Sequence, residues 1–83
     1  MTEFYVSLHS IKDAQEFVSA ASMIPVDIDV ISGRYTIDAK SLLGLFSLPP
    51  DVPVLIRVYG TPEDGQRFRS QVEALVTEPP KEV

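Results

Sequence analysis

Few residues in this chain can do chemistry near neutral pH. His9 is the only histidine among 83 residues, and it opens the run His9-Ser10-Ile11-Lys12-Asp13. An imidazole can take and pass on a proton or a phosphoryl group in this pH range. Lys12, three residues on, would supply a cation for an anionic group. Ser41 heads a second run, "AKSLLGLFSL" over residues 39–48, and follows Lys40. Asp27, Asp29 and Asp38 are carboxylates on two short alternating segments. A divalent cation needs more converging oxygens than a flat strand face gives, so these three read as a solvated sheet face and no metal site is assigned. The chain has no cysteine, which excludes disulfides, thiolate catalysis and a cysteine-zinc site. There is no nucleophile-base pair and no phosphate-cradling glycine loop. The reading is of a non-catalytic protein without a cofactor.

The elements that position these residues follow from hydrophobic period. Phe4 to Leu8 is predicted as a strand, with Phe4, Val6 and Leu8 on one face. Ile11, Ala14, Phe17, Val18 and Ala21 recur at three- and four-residue spacing, which predicts a helix capped by Ser10 with Asp13 in its first turn. Val26–Ile31 and Tyr35–Ala39 alternate around Ser32-Gly33-Arg34, a hairpin. Ser41–Leu48 reads as about two turns of helix, stopped by Pro49, Pro50 and Pro53. Val54–Gly60 is a further strand. Thr61-Pro62 then begins a last helix, with a stripe of Phe68, Val72 and Leu75. Within that helix Gly65 should cost about 1 kcal/mol relative to alanine.

The order βαββαβα predicts an α+β open-faced sandwich, a four-stranded antiparallel sheet with helices on one face. One domain over residues 1–78 and a frayed tail at 79–83 fit the length. A formal net charge of −5, with scattered basic residues, argues against nucleic acid and against an anionic membrane surface. The N-terminus lacks the basic start and long apolar run of a secretory signal, and no segment approaches the ~20 apolar residues of a membrane span. A cytoplasmic protein is expected.

The run "AKSLLGLFSL" resembles the K-S-[IL]-[ML]-G-[LV]-[MLF]-S-L run of HPr, the phosphocarrier of the bacterial sugar phosphotransferase system. The likeness covers residues 10–48 closely, with the last strand and helix compatible in order. It implies the same open-faced sandwich. In the family an H-A-R-P-A motif opens the first helix, and its histidine accepts phosphate from Enzyme I. The ungapped register places Ser10-Ile11-Lys12-Asp13-Ala14 there, so the acceptor histidine is missing and Ser10 and Lys12 mark a degenerate site.

Ser10 is read as a plain helix cap, and Asp13 would repel an incoming phosphate. His9, one residue off, is the alternative acceptor; otherwise it is an exposed histidine at a strand end. The resemblance makes Ser41 the counterpart of the serine phosphorylated by HPr kinase, although capping alone would also keep a serine here. It makes Leu42, Leu43 and Phe46 the docking patch for Enzyme I and regulatory partners, against the alternative that they are core.

The favoured expectation is a regulatory or protein-binding module that has lost phosphocarrier activity. Its partners would be Enzyme I, HPr kinase or a transcription regulator, with Ser41 as a switch. An active phosphocarrier working through His9 is the alternative, and a scaffold with an unrelated partner is the third reading.

Overall fold

The computed structural model describes residues 1–49 and 51–80. Its elements run β1 (Thr2–Val6), α1 (Ile11–Ser22), β2 (Ile28–Ser32), β3 (Tyr35–Asp38), α2 (Leu42–Leu45), β4 (Val54–Val58) and α3 (Pro62–Gln71). A single 3-10 turn at Glu73–Leu75 then leads into β5 (Val76–Thr77). The strands form one antiparallel sheet in the order β3-β2-β4-β1-β5. Alternation explains its two faces: Phe4, Val6, Ile28, Val30, Val54, Ile56 and Val58 are all buried. Their neighbours Glu3, Tyr5, Asp29, Leu55 and Arg57 point to the other side.

The helices cover the buried face. Ser10 caps α1, its Oγ accepting from Asp13 N at 3.1 Å. Thr61 and Asp64 cap α3 reciprocally, behind Pro62 at the first helical position. Phe17 of α1 meets Phe68 of α3 edge-on, with ring centroids 5.3 Å apart, and Phe68 meets Phe4 of β1 at 6.0 Å. Such aromatic pairs add about 0.5–1.5 kcal/mol beyond the area they bury. Arg69 lies over the Phe4 ring, 5.9 Å from its centroid.

The open-faced α+β sandwich agrees with expectation, but the sheet has five strands, not four. Beyond Val72 the last helix does not continue to Leu75. The chain turns, Leu75 O accepts from Ser7 N at 2.9 Å, and Val76 and Thr77 pair with Val6 and Tyr5. Two residues are too short for any periodic signal. β1 begins at Thr2 and ends at Val6, which leaves Leu8 in the connection to α1.

The second helix is also shorter than two turns. α2 has four residues, and the chain then continues through three-residue turns, Ser47 N to Gly44 O and Leu48 N to Leu45 O. Ser47 Oγ donates to Gly44 O at 2.6 Å and so competes for a carbonyl that a longer helix would use. The helix therefore ends before any proline. Pro50, expected to help stop it, lies outside the described residues, as do residues 81–83 of the expected frayed tail.

Gly65 reverses its expected role. A β-carbon there would lie 1.9 Å from Thr2 Oγ1 and 2.4 Å from Thr2 Cβ. The glycine lets α3 sit directly on the start of β1. Gly65→Ala is therefore expected to destabilise by about 1–3 kcal/mol, as overpacking does, despite alanine's better helix propensity. Urea unfolding measures this, and unchanged or raised stability would show that α3 does not approach β1 so closely.

Candidate functional site

The site is built where the start of α1, α2 and the connection into β4 come together. Ser10 has extended backbone and its hydroxyl is engaged as the α1 cap. Asp13, one turn in, turns back so that its Oδ2 accepts from His9 N at 3.0 Å. The helix start is thus capped in part by its own residues: the Ser10 hydroxyl answers one first-turn donor, Asp13 N, and the Asp13 carboxylate answers His9 N just ahead of the cap. Lys12 points elsewhere, with its Nζ 3.9 Å from Glu16 Oε1 one turn along the helix. Ser10 and Lys12 are neighbours in sequence, but they do not converge on one point.

His9 is exposed, and its Nδ1 is paired with Oδ1 of Asp51 across the groove mouth. A carboxylate can only accept, so Nδ1 carries the proton in this contact, and Nε2 has no partner among the described residues. Asp51 has φ of 65°, a left-handed conformation that aspartate tolerates better than most residues. Sequence reasoning missed Asp51. It lies 42 positions from His9, and nothing local signals the pairing.

Ser41 caps α2, its Oγ accepting from Gly44 N at 3.2 Å. Lys40, which precedes it, is tied down: its Nζ donates to Ile24 O at 3.0 Å and its backbone N to Asp38 Oδ1 at 2.9 Å. Packing of α2 on β3 is close, since a β-carbon on Gly44 would lie 2.6 Å from Ile37 Cγ2.

The three apolar residues expected as a patch divide. Leu43 is 82 % exposed and Phe46 46 %, whereas Leu42 is half-buried. Only Leu45 of this helix is fully in the core. Phe46 also borders a groove of about 300 Å³ between α1 and α2. The floor of the groove is Leu8, Ala14, Leu45 and Val54, and its outer edges include Ile11 and Val52. Ile11 is 64 % exposed and Val52 45 %, so the outer wall is apolar and solvated. Ile11 belongs to the apolar stripe in sequence, but at the first position of α1 it lies beyond the sheet it was expected to cover. His9 and Ser10 close one end of the groove.

On the open sheet face Asp29 and Asp38 are cross-strand partners, and Asp29 also pairs in register with Arg57. Arg57 Nε donates to Glu3 Oε2 at 2.7 Å, and this bond, followed by one to Tyr59, raises its pKa above the ordinary arginine value. Among the described residues no three histidine, aspartate or glutamate side chains are grouped so as to hold a metal ion. No helix among them is long and apolar enough to cross a membrane.

No family model and no curated protein sequence matches this chain. Among solved structures it is similar to the crystal structure of HPr-C-His from Thermoanaerobacter tengcongensis, with a TM-score of 0.72 and 22 % identity. The match covers 89 % of this chain and 93 % of that one. The chain therefore has an HPr-like fold, and its own sheet carries β5 at the β1 edge.

The division within α2 has a direct consequence for stability. Leu43→Asp is expected to change stability by no more than about 0.5 kcal/mol, as surface substitutions do. Leu45→Ala should cost about 2–5 kcal/mol through the cavity it leaves. Chemical denaturation of the two variants checks this, and a large loss with Leu43→Asp would return that residue to the core.

Proposed function

We propose that this chain is a non-catalytic, HPr-like protein-binding module that docks through the face between α1 and α2 and does not carry phosphate. The observation that supports this best is the state of the helix start. Ser10 stands where the resemblance would put the acceptor histidine, its hydroxyl caps α1, and Lys12 leans away toward Glu16. A serine hydroxyl does not relay phosphate near neutral pH as an imidazole does. Next to this site lie Ile11, Phe46 and Val52, large apolar side chains left open on the groove. Each contributes about 1.5–3 kcal/mol if a partner buries it fully. Leu43 extends the apolar surface beyond the groove, and Leu42 beside it in sequence is half-buried.

Enzyme I, HPr kinase or a transcription regulator are the partner classes that the HPr-like fold suggests. Ser41 is the proposed regulatory site. A phosphate there adds nearly two negative charges and removes a hydroxyl that now accepts from Gly44 N. At the N-cap of α2 its oxygens would meet the helix dipole and first-turn N–H groups, and the added charge would alter the face that carries Phe46.

One observation favours a second reading, phosphate acceptance on His9. Asp51 holds the Nδ1 proton and leaves Nε2 free and exposed, an arrangement in which a carboxylate orients an imidazole for nucleophilic attack. Against it, the carboxylates of Asp13 and Asp51 both meet His9 and oppose an approaching phosphoryl group.

Incubation with Enzyme I and phosphoenolpyruvate, followed by intact-mass measurement, separates the two readings. The binding module gains no phosphate, whereas an acid-labile adduct lost in His9→Ala would establish the carrier. In parallel, a partner retained from cell extract by the wild type should be lost with Phe46→Asp. Equal retention by both would refute docking at this face.

A further inference from the structure

We infer that the α1–α2 groove receives a basic partner segment, one large apolar side chain flanked by lysine or arginine. This rests on the docking face proposed above and adds the partner's charge. The groove holds about 300 Å³, at the bottom of the range for small-molecule pockets, and its edge residues Ile11, Phe46 and Val52 are open to solvent. Such a shape suits an anchoring side chain from a protein surface better than an enclosed ligand.

The charge follows from what surrounds it. Among the described residues no lysine or arginine lines the groove, and the one titratable lining residue is His9. His9 sits between two carboxylates, Asp51 on its ring and Asp13 on its backbone N–H. The nearest cations by sequence are engaged elsewhere, Lys12 toward Glu16 and Lys40 on the Ile24 carbonyl. Arg57 is paired with Glu3 on the open sheet face. The carboxylates of Asp13 and Asp51 lie at the His9 end of the groove, beside an apolar floor. That arrangement attracts an apolar anchor with positive flanks and repels one with acidic flanks.

The test uses two synthetic amphipathic helical peptides with the same Leu/Phe stripe, one flanked by Lys and Arg and the other by Glu. Each is titrated into the isotopically labelled full chain, with amide shifts followed by NMR. The basic peptide is expected to shift Ile11, Phe46 and Val52 and to bind on the order of tenfold more tightly than the acidic one. The preference should weaken with added salt. It should also fall several-fold in Asp51→Asn, a substitution that keeps a side chain tolerant of positive φ. Equal binding of both peptides at the groove, or preference for the acidic one, overturns the inference and leaves the docking face standing. If neither peptide shifts these residues, the docking face fails as well.

Discussion

Phe68 is the residue on which the arrangement of this small protein depends. Its ring is fully buried against Phe17 and Phe4, so one side chain joins α3, α1 and the sheet. Gly65, one turn earlier on the same helix, lacks the Cβ that would clash with Thr2 and so allows α3 to sit close on β1. Once two helices are fixed on one face, a chain of 83 residues has little left with which to cover anything else. α2 contributes only Leu45 to the core, and the apolar residues around it must face outward. The exposed face of Ile11, Leu43, Phe46 and Val52 is therefore a consequence of where the core closes.

Much of this was legible in the sequence where the physics is local. Alternation in Phe4–Val6, Ile28–Val30 and Val54–Val58 identified the strands and their inward faces. The caps at Ser10, Ser41 and Thr61 were legible because capping depends on side chains three residues apart. What escaped is tertiary. β5 forms only because β1 offers an edge to two residues that have no pattern of their own. Gly65 reads as a weak point in an isolated helix, and only the approach of β1 makes it a requirement.

The site divides in the same way. The runs at residues 9–13 and 41–46 stand out by residue type, and the capping role of Ser10 follows from its position before an apolar stripe. The direction of Lys12 was also within reach, since Glu16 lies four residues on and on the same helix face. Asp51 and the wall formed by Val52 were not, because their relation to His9 and Ile11 depends on how the connection into β4 folds back over α1. Ile11 shows the limit of periodicity: it falls on the stripe, yet at the first position of α1 it stays exposed.

An HPr-like fold brings a helix start and a short second helix side by side, but the chemistry available there depends on how the polar groups at that junction are satisfied. An open helix start, with unpaired N–H groups and partial positive charge, is a ready site for an anion. In this chain Ser10 answers one of those groups, Asp13 N, while Asp13 and Asp51 place two carboxylates on His9. The two carboxylates place negative charge at the junction, which works against an approaching anion. The remaining unmet demand at this place is apolar, the surface of Ile11, Phe46 and Val52. Carboxylates at one end and solvated apolar side chains along the edge are thus the two physical features that this junction presents.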